Sequence, residues 1–87
     1  MTVWERVPEV VWRRSGGRRL VMGPDTEEVV VIEGSGQVIW DLLDQPIGED
    51  ELARELSAGF GIPTSELRPD IVAFLTELRS AGLVAAR

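Results

Sequence analysis

The spacing of apolar residues changes partway along the chain. Up to Ile32 they come in short runs, Val10–Trp12, Leu20–Met22 and Val29–Ile32, separated by turn residues. From Ser35 onward they recur three and four residues apart, over Ser35–Leu43, Glu49–Phe60 and Pro69–Ala81. The pattern predicts a meander of three antiparallel strands followed by three helices, an α+β domain with a winged-helix-like order of elements. Ser15–Gly17 and Gly23–Asp25 supply the turns, with glycine available for the positive φ that tight hairpins need. Val29, Val30, Val31 and Ile32 are apolar on both faces of the third strand. A strand with one wet face alternates, so this one needs cover on its second face or along its edge.

The helical half carries its own punctuation. Ser35 is placed to cap a helix that turns Val38, Ile39, Leu42 and Leu43 to one side and Asp41 and Asp44 to the other, and Gln45–Pro46 ends it. In the second helix Leu52, Leu56 and Phe60 share a buried stripe, acids crowd the first turn, and Gly59 and Gly61 close it. Pro69 disfavours helical backbone at Arg68, so the third helix is predicted continuous only over Pro69–Ala81, with a separate turn at Thr64–Leu67. Its stripe is Ile71, Phe74, Leu75 and Leu78, and Gly82 caps it before Leu83–Val84.

Eighty-seven residues make one domain, 1–87, with room for a single core and none for a deep catalytic cavity. No apolar run approaches the ~18 to 20 residues that span a bilayer, and MTVWERVPEV lacks the basic-then-apolar order of a secretion signal. A cytoplasmic protein without membrane contact is expected. There is no Cys, so packing alone must hold the fold.

Charge narrows the partner. The net charge is −6, but residues 1–22 carry +3, residues 23–51 carry nine acids and no base, and residues 52–87 balance. The central band comprises Asp25, Glu27, Glu28, Glu33, Asp41, Asp44, Glu49, Asp50 and Glu51. Duplex DNA repels such a surface, which disfavours a winged-helix regulator and predicts no nucleic-acid partner. A basic partner would be attracted, although the same acids also serve solubility.

Candidate chemistry is sparse. Cys, His, Tyr and Lys are all absent. Asp41 with Asp44, and Glu49 with Asp50 and Glu51, could serve acid–base or metal chemistry only in a cleft, whereas the pattern puts them on a solvated face and in a helix first turn. Gly34–Ser35–Gly36 lacks the lysine and the spacing of a phosphate loop and reads as a strand-to-helix turn. No enzyme, cofactor or metal is expected.

From about Val7 to Val84 the order of elements and the residues within them resemble the PqqD-like family of recognition elements for ribosomally synthesised, post-translationally modified peptides. The matching positions are Ile32, Glu33, Gly36, Ile39, Leu42 and Asp44, then Asp70, Ile71, Phe74–Leu75, Leu78 and Ala81–Gly82–Leu83. Glu33 stands where the family usually has Asn, and Gln45–Pro46 where it has Gly.

The resemblance implies a partner and a site. In this family the leader of a precursor peptide adds as an antiparallel strand to the third strand and inserts side chains between that strand and the third helix. Here the template would be Val29, Val30, Val31 and Ile32, the far wall Leu67, Ile71 and Phe74, and the acidic rim Glu27, Glu28, Asp70 and Glu77. Leu75 and Leu78 are expected in the core, while Ile71 and Phe74 stand between core and slot. The chain is most similar to the stand-alone leader-binding protein of split lasso-peptide systems, which works with a separate leader peptidase. The other role the resemblance implies is the peptide chaperone that serves a radical enzyme in quinone-cofactor synthesis.

Overall fold

The computed structural model describes residues 2–87. The expected meander forms from β2 (Val11–Ser15), β3 (Arg18–Met22) and β4 (Val30–Glu33), in the order β2-β3-β4. Trp12 pairs with Val21 and Val21 with Val30, so these three share the inner face. Ile32, two residues further on, is buried beside them. The helices are α1 (Gly36–Leu42), α2 (Glu49–Phe60) and α3 (Thr64–Ser80). The α+β expectation of a three-stranded antiparallel sheet and three helices therefore holds.

A second sheet, unforeseen in the sequence pattern, closes the molecule. β1 (Val3–Arg6) runs antiparallel between β5 (Ile47–Gly48) and β6 (Val84–Ala86), with Trp4 opposite both Ile47 and Ala86. The chain ends thus meet across β1, where Val3 N–H donates to the Arg87 carbonyl at 2.7 Å. Trp4 is buried, and its indole Nε1 donates to Glu49 at 2.9 Å. Strands this short owe their existence to partners about 40 and 80 residues away in sequence, so no local period announces them.

The core is continuous across both sheets and all three helices, running through Val21, Ile32, Trp40, Leu43, Leu52, Leu56, Ile71, Leu75 and Leu83. Trp40 is fully buried at its centre, edge-on to Trp12 with ring centroids 6.0 Å apart. The Arg6 guanidinium stacks on both rings, 4.8 Å from Trp12 and 4.6 Å from Trp40. Burial lowers its pKa from the ordinary arginine value, against the opposing pull of Asp44 and Asp41. A second arginine works differently. Arg19 on β3 is buried and grips Asp41 of α1 at 3.1 and 2.9 Å while donating to Gln37 at 2.7 Å, which ties sheet to helix.

Several local expectations give way. Ser35 has helical backbone and makes no capping bond through its side chain. Gly34, at φ +60°, makes the turn instead, and its carbonyl receives the Gln37 N–H at 3.2 Å. Asp41 leaves the solvated face for Arg19. Phe60, expected in the core, is 50% exposed. α3 runs unbroken through Pro69 from Thr64. Proline there costs the bond to the Ser65 carbonyl, but both residues are exposed and water can replace it. At its far end α3 stops as expected, with Gly82 N–H donating to Arg79 and Leu83 N–H to Leu78.

Candidate functional site

β4 is the edge of its sheet: β3 lies on one side, and among the described residues no strand pairs with the other. Val30 packs against the core and Ile32 is 2% exposed, so inward side chains fix the strand rigidly while its outer backbone groups stay available. The outward residues alternate with them. Val29 and Val31 are 55% and 48% exposed and stand on the face of the sheet turned away from the core. This is the physical answer to the over-apolar run: half of it is core, and the other half is uncovered.

Beside the end of β4 runs a groove of about 400 Å³ between the start of α1, the end of α2 and the first half of α3. Its walls are largely apolar, with Ile39, Leu56, Phe60 and Ile62 facing Leu67, Ile71 and Phe74, while Glu33 and Asp70 add carboxylates. α3 supplies Leu67, Asp70, Ile71 and Phe74 because positions three and four apart share one helix face. Ile71 is both things the sequence left open, a buried core residue that also forms groove lining. Phe74 is half-buried, packed on the core from the groove side.

Gly36 explains how close Phe74 sits. A Cβ there would lie 3.0 Å from Phe74 Cζ and 3.1 Å from Ile32 Cγ2, tighter than ordinary van der Waals contact. The ring therefore lies over bare backbone at the start of α1. A larger residue would require Phe74 or Ile32 to shift by a few tenths of an ångström.

The groove gathers four of the residues proposed from sequence: Leu67, Asp70, Ile71 and Phe74. Val30 and Ile32 belong to the edge strand, but their side chains go to the core. Glu27, Glu28, Val29, Val31 and Glu77 are exposed and outside the groove lining, the glutamates of residues 27 and 28 lying just before β4 and Glu77 further along α3. The sequence reading missed Phe60 and Ile62 as groove residues. The available signal was Ile62, an apolar residue just past Gly61 that no core stripe claims, next to Phe60 at the last position of the α2 stripe.

An open, β-branched edge next to an apolar groove lined in part by Glu33 and Asp70 is the kind of surface to which extended peptides add as strands. The chain belongs to the PqqD family: the family model described as "Coenzyme PQQ synthesis protein D (PqqD)" matches residues 18–84. The match runs from Arg18, whereas the resemblance in sequence extends from about Val7, so β1 and β2 precede the matched segment. The family binds peptide precursors, which supports a peptide as partner. Nothing among curated proteins or solved structures matches the chain. Among the described residues, no helix is long and apolar enough to cross a membrane.

Proposed function

We propose that this protein is a non-catalytic recognition element that holds the leader of a ribosomally made precursor peptide and delivers it to a maturation enzyme, the leader protease of a lasso-peptide pathway. The observation that carries this reading is the unpaired β4 edge running beside the groove of Phe60, Ile62, Leu67, Ile71 and Phe74. A leader adds antiparallel to β4. Main-chain hydrogen bonds supply affinity, and alternate side chains enter the groove and supply preference. Glu33 and Asp70 favour a basic leader residue at the mouth. The absence of Cys, His, Lys and Tyr from the sequence supports a binding role over a catalytic one. The role belongs in the cytoplasm, where precursor peptides are made.

The family description itself favours one second reading, a peptide chaperone for the radical enzyme of quinone-cofactor synthesis. Both readings use the same edge and groove and differ in the enzyme served. The test is calorimetry of the purified protein against the leader of the precursor encoded beside it. A Kd between about 1 μM and 1 nM is expected for an interface of about 1,000 Å² or somewhat more. Absence of heat overturns the peptide reading. A neighbouring transglutaminase-like protease that requires the complex supports the lasso role, and a neighbouring radical enzyme supports the chaperone role.

A further inference from the structure

The outer face of the β2-β3-β4 sheet is apolar where a solvated face should be polar. Val11 is 64% exposed, Val29 55% and Val31 48%, and Val11, Leu20, Met22 and Val29 line a depression of about 190 Å³. The pairing register puts Val11 opposite Met22, and Arg13 opposite Leu20 with Leu20 opposite Val31, so the patch crosses all three strands. Its charges are basic on the hairpin side. Arg13 has no ion pair among the described residues, and Arg18 meets only Glu33 at 3.9 Å. This is a different surface from the groove, which opens beside α3.

We propose that this face docks the maturation enzyme, through an apolar surface carrying an acidic group opposite Arg13. The inference rests on the proposed leader binding for its choice of occupant. β4 runs from Val30 to Glu33, so a strand added antiparallel to it has its N-terminal end beside Glu33 and its C-terminal end beside Val29. The part of a precursor that is cut or modified follows the leader's C-terminal end. It therefore leaves the domain next to the depression of Val11, Met22 and Val29. An enzyme seated there touches the recognition domain and meets its substrate as the chain emerges.

A second copy of this chain is a poorer occupant. Five partly exposed side chains fall far short of the ~800 Å² per partner typical of a stable dimer. An enzyme gains the missing area from the emerging peptide, whose outward side chains extend the same face.

The test uses the full chain, the leader peptide, the full precursor and the protease or radical enzyme encoded beside it. Val11→Glu and Arg13→Glu alter exposed residues on the strand farthest from β4, so melting temperature should be essentially unchanged and leader affinity should stay within about twofold of the parent. Enzyme affinity, measured with and without leader, should fall by about tenfold or more in each, with a matching loss of precursor processing. Val38→Glu, on exposed α1, should change neither. A photo-crosslinker at position 11 should capture the enzyme and one at position 38 should not. Unchanged enzyme binding and processing in both variants overturns the proposal. So does a concentration-dependent dimer that Val11→Glu abolishes, or binding of anionic vesicles or DNA that competes with the enzyme. Failure of the parent protein to bind leader would instead overturn the peptide reading, while enzyme binding measured without leader would still decide the role of Val11 and Arg13.

Discussion

The two edges of the meander sheet face the same physical hazard and meet it in opposite ways. An unpaired strand edge presents a row of N–H and C=O groups to any passing chain, and proteins commonly blunt it with charge. β2 does so: its sequence VWRRS places Arg13 and Arg14 in the middle of the strand. β4 does not. Its sequence VVIE has three β-branched residues before its only charge, and its inward side chains are locked in the core. One edge is defended and the other is kept open and stiff. The difference teaches that core packing orders β4 before any partner strand arrives, so strand addition at this edge would cost little entropy on the protein's side.

The contrast can be broken most severely at the backbone of β4. Val31→Pro changes a half-exposed side chain, yet removes a main-chain donor and distorts the strand. Leader affinity should fall by about 100-fold or more, corresponding to about 2.7 kcal/mol. Calorimetry reads the affinity, and circular dichroism separates loss of the edge from loss of the sheet. An unchanged affinity would remove β4 from the binding site.

Side chains of the groove should give the next largest effect. Phe60→Ser deletes an aromatic wall that is already half in water, so melting should move little while leader affinity falls by about tenfold. Trp40→Ala provides the reference for a core residue and should cost about 3 to 5 kcal/mol of stability in denaturant titrations. If Phe60→Ser instead melts like Trp40→Ala with normal affinity, Phe60 is core in solution and the groove is narrower than described.

Removing the defence of β2 should sharpen the comparison from the other side. The double change Arg13→Val and Arg14→Val turns β2 into a second uncharged β-branched edge, and weak self-association should appear at high concentration. Sedimentation velocity would detect it. A protein that stays monomeric shows that those arginines do not protect the edge.

The smallest effect is on the tie beneath both edges. The hydrogen bond from Arg19 lowers the Asp41 pKa from its usual value, so the unfolded chain binds more protons than the folded one as the solution becomes acidic. This contribution is fully present above the unfolded carboxylate pKa of about 4 and is lost as pH falls through the lower folded value. Asp41→Asn should flatten that part of the acid limb in chemical denaturation below about pH 4 and leave the leader affinity at neutral pH unchanged. An acid limb identical to the parent would show that the pair contributes nothing in solution.

Much of the fold is readable in local pattern. The turns at Ser15–Gly17 and Gly23–Asp25, the helix over Glu49–Phe60 and the stop at Gly82 each depend on neighbours within a few residues. The site is readable in part, because Leu67, Asp70, Ile71 and Phe74 fall on one face of one helix. Phe60 shows where the reading stops. It continues the apolar spacing of Leu52 and Leu56, but it lies at the last turn of α2, where the core has ended and the groove begins.

The sequence by itself determined the period of each segment, and with it the meander, the helices and the family. Tertiary structure decided what period cannot encode: that Trp4 pairs with strands from both later parts of the chain, that Trp40 lies at the centre, and that Phe74 rests on Gly36. It also decided that alternate residues of Val29–Ile32 part company, two into the core and two into water. The physical reason is that backbone periodicity is local, whereas burial depends on which surfaces arrive from elsewhere in the chain and which strand edge they leave uncovered.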